Sequence, residues 1–566
     1  MSQDKSAQLR LDVMDDAGRP SPFRAELIRD GRVVERIWSN TGQGVIDTQP
    51  GPASVLVRRG IDHDAVSVDL DLPAGTTDRP VRLRRRLDVR SMGWHCGEAH
   101  MHVQHSKTDP PRTFRDGARM AAGDGLDYVL LAPAWDETFK WLEVQELERR
   151  CLDASTADVV VGWNLESPKS YMSHDDGGRS GNLHCFGHGW TISLMDLSAG
   201  PGLFTGGPAF GAIHEVHRQG GVVGCAHPVR STFGHGGNFI SNWASELPFD
   251  FVAGAAYDAI DVLNDSPLLF FQSERLWYAL LNMGYRVAAT GNTDGALGAT
   301  SAVGRFRTYA KIDGEFSWAT LADAIRAGRT VATSGPLAMF EVDGRDVGSE
   351  LPADGRPRRA TIRAWSGPLP GETILAIQLV RNGEIIRAWD LRDENAREWA
   401  TSFDVAEEEF AWYSVRVVSP SRDVPSLSLW GPHAYELAAT SAVYFLPDGF
   451  RRPQPAQARL RLQVTDDAGR AIAAEAAVTD AGRLVATHRV PPEGAELVVP
   501  ATASLVISAD GFAPQQRTVF LDCPSLFDYS RNIGTVWPSF YSPETYDELR
   551  RRLGCLAMSV TLRSEG

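Results

Sequence analysis

Gly93-Trp94-His95-Cys96-Gly97-Glu98-Ala99-His100-Met101-His102 ends in two histidines spaced i and i+2. On a strand, alternate side chains share a face, so His100 and His102 can reach one ion from the strand's end. Taken alone the pair is a weak signal, because two solvent-facing histidines on an edge strand give the same pattern. Four further segments strengthen it. Val159-Val160-Val161-Gly162-Trp163-Asn164-Leu165-Glu166 carries an apolar run to a carboxylate, and Gly220-Gly221-Val222-Val223-Gly224-Cys225-Ala226-His227-Pro228 carries one to a histidine. Val287-Ala288-Ala289-Thr290-Gly291-Asn292-Thr293-Asp294 again ends on a carboxylate, and Asn182-Leu183-His184-Cys185-Phe186-Gly187-His188-Gly189 adds two more imidazoles. In α/β domains, sites gather at the carboxyl ends of strands, which is where these side chains fall. Eleven of the fourteen histidines lie between His95 and His235, a concentration that packing does not explain. The expected metal ligands are therefore His100, His102, Glu166, His188, His227 and Asp294.

Outward from this core of motifs, residues from about 92 to 335 alternate strand-like runs (Tyr128–Leu131, Val159–Val161, Val222–Cys225, Val287–Thr290) with helical stretches such as Arg112–Gly123 and Ser273–Gly284. The alternation predicts an α/β domain with largely parallel strands. The ordered set HxH, Glu, Gly-His, His-Pro and final Asp resembles the PHP (polymerase and histidinol phosphatase) superfamily, and more narrowly its CehA/McbA-like metallohydrolase branch. The resemblance covers roughly residues 90–340, with a trailing β-sandwich that starts near Gly335-Pro336-Leu337. It implies a distorted (β/α)7 barrel with metals at the strand C-termini. It also implies that His100, His102, Glu166 and Asp294 hold one metal, with Glu166 bridging to a second held by His188 and His227. Imidazole with carboxylate suits Zn, Mn or Fe.

The sequence departs from that family where a third metal would be held. Leu131-Ala132-Pro133-Ala134-Trp135-Asp136-Glu137 stands in place of Thr-Asp-His, Ala296 in place of a histidine, and Ser106-Lys107-Thr108 in place of a further ligand. One or two divalent ions are expected. The implied chemistry is attack of a metal-activated water on an ester, carbamate or amide bond of a small molecule. A PHP-type phosphoesterase is the alternative enzyme, and a non-catalytic ligand- or carbohydrate-binding protein the alternative outside catalysis. The missing third-site ligands and the absence of a basic cluster near the motifs weigh against the first alternative. Retention of all six inner ligands weighs against the second.

For proton transfer the sequence offers His105, His184 and Asp136 first, then Glu137 and His235. Lys169 could meet an anionic substrate, although a solvated loop lysine is the blander reading. Asp261 and Asn264, after the run Ala259–Leu263, are expected to orient ligating imidazoles. Cys96, Cys185 and Cys225 neighbour site residues on strands and should point into the core rather than ligate. Trp94, Trp135, Trp163 and Trp190 could line an aromatic pocket or simply pack.

The flanks read as strands and turns, and the two ends look like copies. Leu9-Arg10-Leu11-Asp12-Val13-Met14-Asp15-Asp16-Ala17-Gly18-Arg19 matches Leu460-Arg461-Leu462-Gln463-Val464-Thr465-Asp466-Asp467-Ala468-Gly469-Arg470. Ala53-Ser54-Val55-Leu56-Val57 likewise matches Ala503-Ser504-Leu505-Val506-Ile507 at almost the same offset. Both ends resemble transthyretin-like sandwich modules. The expected division is a first such module at 1–90, the PHP-like domain at 91–335, a β-sandwich at 336–452, and the second module, repeating the first, at 453–566. A short helix is expected near Tyr546–Leu553.

A chain of 566 residues is too long for one core. Its net charge of -15 argues against nucleic acid as a steady partner. No apolar run nears the ~20 residues that cross a bilayer, and the polar N-terminus lacks a secretory signal. Six cysteines without a CxxC pair do not make a disulfide framework. The chain thus reads as a reduced, cytoplasmic enzyme with a small-molecule substrate and no membrane partner, and the repeated end modules suit a homodimer.

Overall fold

A computed structural model describes residues 6–104, 111–132, 144–164, 183–186, 213–214, 216–217, 220–226, 228–230, 241–242, 247–254, 256–264, 270–298, 303–421, 435–480, 482–533 and 541–565. Tyr128–Ala132 and Ala259–Leu263 are apolar almost throughout and buried at every position, the signature of strands covered on both faces. The Trp94–His102 strand lies between Tyr128–Ala132, which runs parallel to it, and Arg307–Lys311, which runs antiparallel. Val160–Trp163 extends the parallel side. A second sheet holds Val222–Cys225, Ala259–Leu263 and Ala288–Gly291 in parallel, with Leu183–Phe186 antiparallel at its edge.

Side chains bridge the two sheets. Thr308 Oγ1 accepts from Gly291 N at 3.0 Å and donates to Gly291 O at 3.1 Å, and Thr330 Oγ1 donates to Ala289 O at 2.8 Å. Among the described residues the central strands therefore form two sheets joined by hydroxyls, where the resemblance implies one barrel. Helices cover them, including Phe114–Gly123 and Phe270–Asn282, in the two regions where helices were expected. The first starts with a capping box in which Thr113 and Asp116 satisfy each other's backbone N–H groups.

The first sheet does not stop at residue 336. Thr330–Thr333 pairs with Arg307–Lys311 on one side and Tyr435–Thr440 on the other. The ladder then continues through Ala411–Pro420 and Ala376–Arg381 to the edge strand Glu384–Asp390. Leu337–Val342, Arg358–Trp365 and Glu398–Val405 belong to another sheet, which also includes Arg345–Asp346.

The two chain ends share one topology. At the N-terminus Ala7–Met14 sits between an antiparallel strand, Gln43–Thr48, and a parallel one, Gly75–Arg82. At the C-terminus Gln457–Thr465 sits between antiparallel Ala495–Pro500 and parallel Leu556–Thr561. Each is completed by a four-stranded antiparallel sheet. The matched sequences make matched turns. Asp15 Oδ1 accepts from Ala17 N and Arg19 N, both at 2.9 Å, and Asp466 Oδ1 accepts from Ala468 N and Arg470 N, both at 2.9 Å. The C-terminal end adds two helices, Pro524–Ile533 and Pro543–Leu553.

The whole is a sheet-rich, mixed α/β protein of several units. Among the described residues no helix is long and apolar enough to cross a membrane.

Candidate metal centre

The Trp94–His102 strand is buried along eight of its nine positions, so its imidazoles are presented in a desolvated interior. His100 Nε2 and His102 Nε2 each lie 3.3 Å from Asp294 Oδ1. The imidazole rings are 5.3 Å apart, centroid to centroid, and all three residues are buried. One ligand atom from each of the three lies within 4.8 Å of the other two. An ion bound at about 2.1 Å to each donor would hold neighbouring donors about 3.0–3.4 Å apart. The spacing of the two imidazole nitrogens from the carboxylate oxygen falls in that range, so the donor set fits a first-row divalent ion.

The backbone brings the carboxylate to the histidines. Asp294 N donates to His100 O at 2.9 Å, and Leu297 N donates to His102 O at 3.0 Å. The short strand Gly295–Ala296 then runs parallel to Met101 and His102. Asp294 itself has φ 50°, in the left-handed region that aspartate tolerates better than most residues. Such a conformation persists only where its surroundings determine it.

Those surroundings are a polar network that the histidine motifs did not reveal. The fully buried Glu98 accepts from Thr293 N, from Thr293 Oγ1 at 2.8 Å and from Gly304 N at 2.5 Å. Burial pushes its carboxyl up to about 8, while these hydrogen bonds pull the other way. Asn292 Oδ1 accepts from Ala99 N at 2.7 Å, and Asn164 Nδ2 donates to Ala99 O. Asp261 accepts from Asn292 Nδ2 at 2.6 Å and from Thr290 Oγ1 at 2.7 Å, and burial pushes its carboxyl up to about 7. Asn264 Nδ2 donates to Asp261 O at 3.3 Å. The segment bearing His100 and the loop bearing Asp294 are thus tied through Glu98, Asn292 and Thr293, while Asn164 holds Ala99 from the end of the Val160–Trp163 strand. Glu98 stands two residues before His100, but the strand's register shifts between Glu98 and Met101, so its role follows from its bonds to Thr293 and Gly304 and not from alternation.

Of the expected ligands, the structure brings His100, His102 and Asp294 together. Glu166, His188 and His227 lie outside the described residues, as do His105, Asp136, Glu137, Lys169 and His235. The backbone of His184 is in the Leu183–Phe186 strand, opposite Gly224. Cys96 and Cys225 are buried and free, and burial pushes the Cys96 thiol up to about 12 and the Cys225 thiol well above its usual value. Both are inert thiols in the core. Trp94 and Trp163 are buried, whereas Trp135 and Trp190 lie outside the described residues.

No protein-family model matches the chain, and no curated protein matches it. Among solved structures, it is similar to a two-domain protein from Bacteroides vulgatus that contains a predicted PHP-like metal-dependent phosphoesterase. That match has 12% identity and a TM-score of 0.31, over 61% of this chain and 94% of the other. A match to BcpA, the major pilin subunit of Bacillus cereus, has 9% identity and a TM-score of 0.13, over 41% and 71% of the two chains. A match to β-glucuronidase 3 of Bacteroides uniformis has 10% identity and a TM-score of 0.16, over 88% and 73%. Likeness at these scores carries no argument about fold or activity, and the functional reading rests on the residues.

Proposed function

We propose that this protein is a metal-dependent hydrolase that cleaves an ester, carbamate or amide bond of a small molecule. The observation that carries the reading is the convergence of His100, His102 and Asp294 at a buried strand end. His100, His102 and Asp294 would hold one divalent ion (Zn, Mn or Fe), and Glu166, His188 and His227 are assigned to completing that site and a second one. A divalent ion held there supplies Lewis acidity and a nucleophile at neutral pH. The Asp261–Asn292 and Glu98–Thr293 hydrogen bonds keep the ligand segments in register, so binding requires little rearrangement. His105, His184 and Asp136 are assigned to proton transfer. Membership of the CehA/McbA-like branch, a barrel completed by the segments outside the described residues, the four-part division of the chain, a homodimer and a cytoplasmic setting belong to the same proposal.

Elemental analysis of the wild type and of the His100→Ala/His102→Ala variant tests it. One or two equivalents of Zn, Mn or Fe in the wild type, lost in the variant, are expected. Aryl esters, carbamates and aryl phosphates then separate the chemistries, with turnover of the first two expected. A wild type that stays metal-free after reconstitution would sink the proposal. Turnover confined to phosphates would replace it with a phosphoesterase.

A further inference from the structure

The four-stranded sheets of the two end modules correspond strand for strand. Phe23–Arg29 lies between Arg32–Ser39 and Gly51–Arg58, as Ala474–Asp480 lies between Arg483–Val490 and Ser504–Ser508, antiparallel in every case. On the outward face of the first sheet Glu26 stands opposite Arg36 and Leu56, and Arg24 opposite Arg58. The matching registers in the second place Ala477 opposite Thr487 and Val506, and Glu475 opposite Ser508. In the N-terminal module this face is docked on the rest of the molecule. Arg24, Glu26, Leu56 and Arg58 are at most 7% exposed, Leu56 packs with Leu369, and Arg24 pairs with Asp124.

In the C-terminal module the same face is open. That module meets the centre through Phe520 and Tyr546, and it leaves Leu484 65%, Val485 51% and Val506 37% exposed. The side chains run against what exposure calls for. The covered face carries Arg24, Glu26, Arg36 and Arg58, while the open one has Glu475, Ala477, Thr487 and Ser508 at the same positions. Across its four strands, the row Thr487, Ala477, Val506 and Gln516 carries no charge. Adjoining apolar side chains left to water mark a surface that a partner covers. Charge indicates which partner. An oppositely charged partner needs a charged seat, whereas a two-fold axis sets one patch against itself. In a chain of net charge -15, a patch can face its own copy only where it carries no charge of one sign. This row meets that condition.

We propose that the outward face of this sheet, centred on Ala477, Thr487 and Val506, is the surface through which two copies of the chain associate, sheet on sheet, about a two-fold axis. The inference rests on the homodimer proposed above, to which it gives a surface, and it is independent of the metal centre and its chemistry. Glu475 and Arg489, opposite each other beside the uncharged row, supply both signs at the margin, as the polar rim of an interface requires.

Sedimentation velocity of the full chain over a range of concentrations is the test. The wild type is expected to sediment as a dimer. Val506→Arg and Thr487→Arg each bring like charges together across the axis, and each is expected to weaken dimerisation at least about a hundredfold. Both positions are exposed, and Thr487→Arg keeps the test decisive if Val506→Arg fails to fold. Val498→Arg, on the module's other sheet at a position 57% exposed, is expected to leave the dimer intact. A dimer that persists in both Val506→Arg and Thr487→Arg would overturn this surface and leave the homodimer standing. A wild type that is monomeric throughout would overturn both. Dimerisation weakened equally by Val498→Arg would also overturn the assignment to this face.

Discussion

The N-terminal and C-terminal modules have the same sheet order and the same aspartate turn, yet they are joined to the molecule by opposite means. The inward residues of the first strand, Leu9, Leu11 and Val13, belong to a core cluster of the N-terminal module's own. Their counterparts Leu460, Leu462 and Val464 belong to the main core that runs through the central unit. The N-terminal junction has a small apolar patch, Leu56 and Ala65 against Leu369, and is otherwise polar: Trp38 Nε1 donates to Asp124 Oδ2 at 2.7 Å, Arg24 pairs with Asp124, and Arg397 reaches Asp64 at 3.1 Å. The C-terminal junction is largely aromatic. Phe249 and Phe520 lie 4.3 Å apart between centroids, Tyr285 and Tyr546 lie 6.4 Å apart, and Arg550 Nη2 donates to Tyr285 Oη at 3.0 Å. One fold can thus be a self-contained appendage or part of a shared core, depending on what its outer surface buries.

The contrast is broken most severely by truncation. A chain ending at residue 452 would expose the face of the main core that Phe520 and Tyr546 cover, and loss of soluble protein is expected. A chain starting at residue 91 removes a module with its own core, and soluble but less stable protein is expected. Size-exclusion chromatography of the two distinguishes them, and equal solubility would erase the difference. Next in size is Asp124→Ala, which strands the Arg24 guanidinium and the Trp38 indole in the N-terminal junction. Losing one partner of a buried pair costs about 3–5 kcal/mol, measurable by urea denaturation. At the other junction Phe520→Ala removes a buried ring, with an expected cost of about 3 kcal/mol. Closer to the metal centre, Asn292→Ala is expected to lower metal affinity about 10–100-fold while leaving both modules folded. Competition with a metal chelator reads that loss.

The parts of this architecture that were legible in the sequence are those that repeat at short range. The period of two placed His100 and His102 on one face, and a strand followed by a carboxylate singled out Asp294. The duplicated Asp-Asp-Ala-Gly-Arg segment marked both modules. What the sequence hid depends on long-range pairing. Val331 pairs with Thr440, more than a hundred residues away, and that pairing carries the central sheet past residue 336. No local pattern records such a partner. Glu98 was in plain view, but the pairing with Tyr128–Ala132 slips between Glu98 and Met101, so simple alternation does not describe this strand. Asn164, Asn292 and Thr293 were passed over because amides and hydroxyls beside a carboxylate look like ordinary loop residues. Their role follows only from the distances to Ala99 and Glu98. The Pro524–Ile533 helix was missed as well, in a region otherwise read as strands.

The smallest expected effect sharpens the comparison most, because it acts where the two modules are alike. Asp15 and Asp466 each close a turn by accepting two backbone N–H groups and the Nε–H of an arginine four residues on, Arg19 Nε at 2.9 Å and Arg470 Nε at 2.8 Å. Burial raises both carboxyls, most clearly that of Asp15, but the hydrogen bonds outweigh it and lower both below the usual aspartate value. Locally, then, Asp15→Ala and Asp466→Ala remove the same contacts. If turn and junction are independent, the two substitutions should lower the stability of their modules by equal, small amounts. If the shared core of the C-terminal module spreads the strain, Asp466→Ala should loosen the Pro543–Leu553 helix, while Asp15→Ala affects nothing beyond residue 90. Amide hydrogen exchange across the whole chain reads both responses at once. Because the N-terminal core is a cluster apart and the C-terminal one is continuous with the centre, we expect the unequal outcome. Equal, local exchange in both variants would show that sharing a core does not couple the module to the rest.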